Sequence, residues 1–121
     1  IFSKVGGFDE NIFLYHEDDD LSLRLKNTVG PLMYCPQANV IHEGGNSSLR
    51  NPKTAMLKGF HMGKSRVYAM KKYNINNYKV KCLLFAIIQL MSIEMLFSKR
   101  KRAKYLAFFK GVKEELKEDK L

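Results

Sequence analysis

The sequence predicts an α/β chain, with a few short strands in its first fifty residues and about three helices behind them. Short apolar runs bounded by glycine or proline are typical of strands and lie before residue 50. Apolar residues spaced three or four apart are typical of helices and begin near residue 53. The composition, 45% hydrophobic and 27% charged, is that of a globular chain. With 121 residues it forms about one domain, too short for a barrel enzyme or a complete doubly wound enzyme.

Two short strands are predicted in the front of the chain, which we define as residues 1–50. Residues 32–35 end at Pro36, and residues 38–42 lead into a small polar loop. An earlier apolar run at residues 12–15 is expected to be buried. The front is therefore the part of the chain in which a sheet is expected.

The first predicted helix begins at the acidic residues 17–20. Negative charge is favourable at a helix N-terminus, and positive charge such as that of Lys26 is favourable near its end. Gly30 and Pro31 stop the helix.

Three further helices are predicted in the rear of the chain, residues 51–121. Pro52 suits the first turn of a helix over about residues 53–73. Its apolar stripe consists of Met56, Phe60, Gly63, Val67 and Met70. Residues 82–97 are the most hydrophobic stretch, and as one helix they would reach about 24 Å, short of the ~30 Å hydrocarbon core of a membrane. A last amphipathic helix is predicted over about residues 103–117. Its apolar side carries Leu106, Phe109, Val112 and Leu116.

Charge is divided unevenly between the front and the rear. The front carries four Lys or Arg against seven Asp or Glu, and the rear carries seventeen against five. The basic run at residues 99–102 directly follows the apolar residues 82–97, which suits peripheral contact with an anionic membrane surface. The alternative is that residues 82–97 cover the protein's own core and the basic run is solvated. Nucleic acid is not expected as a partner, because no recognition motif accompanies the basic residues. Cys35 and Cys82 form no metal-binding or disulfide pattern, which favours a reducing, cytoplasmic setting.

The acidic run and one histidine are the first candidates for chemistry. Four consecutive carboxylates repel one another, which favours proton uptake and suits a general base. The same run is also what an ordinary helix N-terminus would carry. His42, at the end of a predicted strand, is either a ligand or an ordinary polar residue.

An ordered set of motifs in the front resembles the C-terminal part of the catalytic domain of family 2 glycosyltransferases, in particular their rhamnosyltransferase-like bacterial branch. The motifs are Val5-Gly6-Gly7-Phe8-Asp9-Glu10, Phe13-Leu14-Tyr15, Glu17-Asp18-x-Asp20-Leu21-x-x-Arg24-Leu25, Pro36, and Val40-Ile41-His42-x-Gly44-Gly45-x-Ser47. The resemblance covers about residues 2–48. The rear matches only in general character, as a helical and often membrane-proximal tail.

This resemblance implies a GT-A fold, a Rossmann-like sheet with an inverting transfer site at its edge. In such enzymes a Glu-Asp pair supplies the general base, so Glu17 and Asp18 are the predicted catalytic residues, with Asp18 as the base. It would remove a proton from an acceptor hydroxyl, which attacks the sugar opposite the nucleotide diphosphate. Asp19 stands where the family often has an apolar residue, so Asp19 and Asp20 remain alternatives for the base.

Further site residues follow from the same resemblance. His42 is the predicted ligand of a metal or diphosphate, with Mg²⁺ or Mn²⁺ as the cofactor of a full-length parent. The loop glycines are expected to offer backbone N–H groups to phosphate, and the early glycines and Asp9 to shape the acceptor side. The predicted substrate-binding residues are Gly6, Gly7, Asp9, Asp20, Gly44 and Gly45.

The family layout also implies that this chain is a piece of a longer protein. Relatives carry a nucleotide-binding half with an Asp-x-Asp motif before the position of Gly6. We therefore divide the chain into residues 1–50, the acceptor side with the base, and residues 51–121, a basic helical tail. The parent is expected to use a nucleotide-sugar donor and a glycan or lipid-linked acceptor in surface polysaccharide synthesis, at the inner face of the cell membrane. The isolated chain is expected to bind donor poorly, to be inactive and to self-associate. The alternative is a non-catalytic basic module that binds a membrane or a partner.

Overall fold

The regular secondary structure of the described residues is entirely helical. A computed structural model describes residues 1–42 and 48–119. A 3-10 turn at Ser3–Val5 is followed by five α-helices. They are α1 (Glu17–Thr28), α2 (Pro52–Lys72), α3 (Tyr78–Leu90), α4 (Glu94–Phe97) and α5 (Lys99–Glu118). Within the described ranges there is no β-strand, so the predicted α/β fold with short strands, as the C-terminal portion of a GT-A domain, is wrong.

The two predicted strands fail for lack of a pairing partner. Residues 32–35 and 38–42 have irregular backbone, and their apolar side chains face solvent; Ile41 is 96% exposed. A strand is stabilised by a hydrogen-bonded neighbour and a covered face. Neither is present among the residues that the structure describes, so local apolar character does not produce a strand here. The run at 12–15 is also less buried than predicted, because only Ile12 is buried while Phe13 and Tyr15 are exposed.

The start of α2 agrees with the sequence prediction. Pro52 occupies the first turn, where its missing N–H removes no hydrogen bond. Asn51 is the N-cap, and its side chain accepts a hydrogen bond from the Thr54 backbone N–H at 2.8 Å. The helix ends at Lys72, and Asn74 follows in the left-handed region.

Helices α2 and α5 pack through small residues, so that their backbones nearly touch. A Cβ on Gly59 would lie 2.3 Å from the Lys104 carbonyl oxygen, and a Cβ on Gly63 would lie 2.3 Å from that of Phe108. Gly111 of α5 has the reciprocal relation to the Phe60 carbonyl. The buried residues of α2 are therefore Ala55, Gly59, Gly63, Ser65 and Val67. The predicted stripe was wrong at Met56, which is half exposed, because the small residues one position away face α5.

A small core lies where α2, α3 and α5 meet. Its fully buried members are Val67, Cys82, Ala86, Phe108 and Val112. Phe85 meets Phe108 edge to face, with ring centroids 5.7 Å apart. Because α3 buries only Cys82 and Ala86, most of its apolar surface is left uncovered by the described chain.

The single helix predicted over residues 82–97 is interrupted. Helix α3 ends at Leu90, and the four-residue α4 follows after a turn. Ser98 then caps α5, accepting a hydrogen bond from the Lys101 backbone N–H at 3.2 Å, so α5 begins at Lys99 and not near residue 103. The basic run thus forms the first turn of α5. Leu106, predicted on its apolar side, is half exposed. Among the described helices, none has the length and apolar character needed to cross a membrane.

Candidate functional site

The acidic run lies at the N-terminus of α1, after an unusual turn. His16 is the N-cap, and both Tyr15 and His16 have positive φ, 64° and 71°. Two consecutive non-glycine residues in the left-handed region are uncommon and cost conformational energy, which is typical of functional positions. The turn sets all four carboxylates in the first turn of α1, where the helix dipole stabilises negative charge.

The four acids of this turn have different environments. Asp18 and Asp19 are exposed. The Asp18 Oδ1 accepts a hydrogen bond from the Asp19 backbone N–H at 3.0 Å, and the Asp19 Oδ2 lies 3.2 Å from the His16 Nδ1. Glu17 is half-buried, and its Oε2 has no hydrogen-bond partner within residues 1–42 and 48–119. Asp18 therefore presents a carboxylate to solvent beside a second, partly enclosed carboxylate.

Asp20, in contrast, is 1% exposed and is held by three side chains. It accepts hydrogen bonds from the Arg24 Nε at 2.8 Å and the Tyr73 hydroxyl at 2.5 Å, and the Lys72 Nζ lies 2.5 Å away. Burial alone raises the pKa of Asp20, but the hydrogen bonds from Lys72, Tyr73 and Arg24 outweigh it, so this pKa lies below its ordinary value. The same burial and the Asp20 charge raise the pKa of Tyr73 to about 12. These contacts join α1 to the end of α2.

Asp9 is joined to the same lysine. Its Oδ2 lies 2.6 Å from the Lys72 Nζ and accepts a hydrogen bond from the Tyr68 hydroxyl at 3.0 Å. Its Oδ1 accepts from the Asn11 backbone N–H at 3.0 Å. Burial raises the pKa of Asp9, but the hydrogen bonds from Lys72, Asn11 and Tyr68 lower it well below its usual range. Lys72 therefore brings together two of the predicted substrate-binding residues, Asp9 and Asp20.

The predicted glycine pair lies against α1. Gly6 and Gly7 both have positive φ, 82° and 67°, as expected for adjacent glycines in a turn. The Arg24 Nη2 donates to the Gly7 carbonyl at 2.7 Å, and its Nη1 donates to the Val5 carbonyl. Arg24 thus ties the start of the chain to the buried Asp20.

His42 is not among the residues that line the two cavities described below. His42 is exposed, and Gly44 and Gly45 lie outside the described residues. Within the part of the chain that the structure describes, no three His, Cys, Asp or Glu side chains lie together as a metal site would require. The described residues therefore do not by themselves form a metal centre.

Two cavities border the segment that carries the acids. The first, of about 590 Å³, lies between α1 and α2, and His16, Asp19 and Arg66 are among its lining residues. The second, of about 180 Å³, is bordered by Tyr15 and by basic residues of α2 and α5. Because Tyr15 and His16 are neighbours in the strained turn, the two cavities flank the same short segment.

No local pattern in the sequence indicated the contribution of Lys72 and Tyr73, or the basic cavity. Each arises when residues distant in sequence meet: Lys72 and Tyr73 contact Asp20 from more than fifty positions away. The only available signal was the excess of basic residues in the rear, which does not indicate which of them face the acids.

Comparison with known proteins finds similarity over 51 residues. They are 45% identical to the N-acetylglucosaminyl-diphospho-decaprenol L-rhamnosyltransferases of two strains of Mycobacterium tuberculosis. The aligned part covers 42% of this chain and 17% of each relative, so the chain spans well under a fifth of their length. No family model matches the chain. No solved structure matches it either. The similarity supports a relationship between part of this chain and glycosyltransferases.

Proposed function

We propose that the chain is a portion of a glycosyltransferase that moves a sugar from a nucleotide-sugar donor to a glycan or lipid-linked acceptor in surface polysaccharide synthesis. The observation that carries this proposal is the 45% identity over 51 residues to enzymes named for transfer of rhamnose to a diphospho-decaprenol-linked sugar. The strained turn before a pair of carboxylates, flanked by two cavities, is compatible with a substrate site.

In the proposed reaction Asp18 is the general base. Its carboxylate takes the proton of the acceptor hydroxyl, the hydroxyl oxygen attacks the anomeric carbon of the donor sugar, and the nucleotide diphosphate leaves from the opposite side. The configuration at that carbon is inverted by this single displacement. Asp18 is exposed, and among the described residues no cationic side chain pairs with it, so its oxygens are available to a substrate.

Its neighbours are less suited to the role of base. Asp20 is buried and already accepts from Arg24 and Tyr73, which hold α1 in place. Asp19 lies against His16. Glu17 is proposed to assist beside Asp18, because its partly enclosed carboxylate has an oxygen without a partner within the described ranges.

The test is nucleotide release by the full-length parent with a panel of donor sugars and a lipid-linked acceptor. Asp18→Asn keeps the size of the side chain but removes the basic oxygen, so kcat is expected to fall by about 10² or more. Asp19→Asn is the matched control and is expected to retain most activity. Full activity of Asp18→Asn with a large loss in Asp19→Asn would move the base by one residue, and full activity of both would refute the mechanism.

The proposal also includes peripheral contact with the inner face of the cell membrane, where a lipid-linked acceptor would lie. The outward sides of α3 and α4 carry large exposed apolar residues, among them Ile88, Leu96 and Phe97. The basic first turn of α5 follows directly, so apolar and cationic groups lie side by side. A purely membrane-binding, non-catalytic module remains the alternative function; it predicts vesicle binding by the chain and no nucleotide release by the parent.

A further inference from the structure

The small cavity beside Tyr15 is surrounded by positive charge. It has a volume of about 180 Å³ and lies where the end of the front meets α2 and α5. Four of its lining residues are basic, and none of the described lining residues is acidic. The basic residues are Arg50, Lys58, Arg100 and Lys104. They come from three separate places in the sequence, so the fold and not a local run of lysines creates the cluster.

The charge of Lys104 is disfavoured by its burial and by its basic neighbours. Burial lowers the pKa of Lys104, and the nearby charges of Lys101, Arg100 and Lys58 lower it further. A bound anion would reverse this effect, because it would neutralise cations that have no acidic neighbour among the described residues lining the cavity. The N-terminal end of the 21-residue helix α2 adds to the positive potential, since Asn51, Thr54 and Ala55 also line the cavity.

We propose that this cavity binds the diphosphate group of a substrate. The inference deepens the proposed function and rests on it, because a nucleotide-sugar donor and a diphosphate-linked lipid acceptor both carry this group. Several cations around one small space suit a compact, multiply charged anion better than a single carboxylate. Tyr15 lines the cavity and stands three residues before Asp18, so the site adjoins the segment that carries the proposed base.

The first test is an NMR titration of the chain with inorganic pyrophosphate. Binding without recognition of the rest of a substrate is expected to be weak, salt-dependent and centred on residues that line the cavity. Lys104→Gln and Arg100→Gln are each expected to weaken it by about tenfold. Lys110→Gln, which removes the same charge from an exposed position of α5, is the control and is expected to bind like the wild type.

A loss of folding is not expected to explain weaker pyrophosphate binding by Lys104→Gln. Lys104→Gln removes one of several like charges, so the variant is expected to melt at the same or a higher temperature than the wild type. Absence of pyrophosphate binding by the wild-type chain would overturn the proposal. Equal loss of affinity in Lys104→Gln and Lys110→Gln would overturn it as well, because it would show attraction by net charge alone.

A second set of titrations identifies the source of the diphosphate. Competition by a nucleoside diphosphate assigns the cavity to the donor. Recruitment of the wild type, but not of Lys104→Gln, to neutral vesicles containing a polyprenyl diphosphate assigns it to the acceptor. Failure of both ligands would overturn the assignment to a substrate.

A parent that is inactive with every donor, while pyrophosphate binding depends on Lys104, would remove the proposed function and leave the anion site. An active parent whose pyrophosphate affinity does not depend on Lys104 would remove the anion site and leave the proposed function.

Discussion

Lys72 is the residue on which the attachment of α1 most depends, since its ammonium group contacts both Asp9 and Asp20. Replacing it by methionine keeps the length of the side chain but removes the cation that pairs with Asp9 and one of the two that pair with Asp20. We expect Lys72→Met to lower the free energy of unfolding by about 3 kcal/mol, as is usual when one member of a buried ion pair is removed. Urea unfolding followed by circular dichroism measures this. Lys81→Met, at an exposed position of α3, should change stability by no more than about 0.5 kcal/mol. Equal stability of both variants would show that the ion pairs of Lys72 contribute nothing to the free energy of unfolding.

The same residues predict how stability depends on pH. Asp9 and Asp20 have pKa values below the ordinary value of about 3.9 in the folded state. Their contribution to stability is therefore fully present above about pH 4 and is lost as the pH falls through the lower folded-state values. Unfolding free energies measured from neutral to acidic pH should decrease in this window. In Lys72→Met the decrease should be smaller, because each carboxylate loses one of the partners that lower its pKa. An equally large decrease in Lys72→Met and in the wild type would contradict the assignment of this pH dependence to the Lys72 pairs.

At the scale of single residues, the sequence could indicate the acids but not their roles. The run of four carboxylates is visible in the sequence, and its place at a helix N-terminus was predicted correctly. That Asp20 is buried while Asp18 is exposed depends on where Tyr73 and Lys72 lie after α2 has packed. No local pattern contains that information.

At the scale of elements, the close approach of α2 and α5 makes a clear prediction. Alanine favours a helix over glycine by about 1 kcal/mol, so Gly63→Ala would stabilise an isolated α2. In the protein the added Cβ overlaps the Phe108 carbonyl, and the backbones must move apart. We expect a net destabilisation of about 1–3 kcal/mol, measured by urea unfolding.

A matched substitution on the same helix distinguishes this packing from the stripe that the sequence predicted. Met56→Ala removes a large apolar side chain at a half-exposed position and is expected to cost less than Gly63→Ala. A larger loss of stability in Met56→Ala than in Gly63→Ala would show that α2 and α5 do not meet through their small residues.

The elements also show which local signals decide structure. Asn51 and Pro52 determined the start of α2 because a cap and a restricted φ act within one turn. The strands at 32–35 and 38–42 failed because a strand depends on a partner elsewhere in the chain. The break between α3 and α4 was missed because apolar composition continues through it without a glycine or proline.

At the scale of the whole molecule, we expect the exposed apolar residues of α3 and α4 and the basic start of α5, which directly follows them, to act as one surface. We expect the chain to sediment with anionic vesicles and less with neutral ones, with binding that decreases as salt is added. Phe97 is 82% exposed, so Phe97→Ser should leave the fold intact while weakening vesicle binding about tenfold. Ile41→Ser, at an exposed apolar position of the front, is the control. A Phe97→Ser variant that keeps its vesicle affinity but loses self-association in sedimentation velocity would assign the surface to a second copy of the chain.

The uneven charge of the front and the rear leads to contacts between them in the folded chain. The acidic front lies against the basic rear through Asp9, Asp20 and Lys72. Other lysines of the rear pair with acids of the rear itself, and a further set of basic residues lines the small cavity. Composition could show the imbalance, but only the folded chain shows which charges neutralise each other and which stay available to a ligand.

The contrast between backbone packing in the rear and polar attachment of the front has a consequence for opening motions. The helix pair α2 and α5 separates only if a long, closely fitted surface is lost. The front is joined to it by the Lys72 pairs and by hydrogen bonds from Tyr68 to Asp9 and from Tyr73 to Asp20. The Ser65 hydroxyl on the Leu14 carbonyl and a ring contact between Phe13 and His61 add to these contacts. Such a unit opens at a lower free energy than the molecule as a whole unfolds. We therefore expect the segment that carries Asp18 to open while α2 and α5 stay folded.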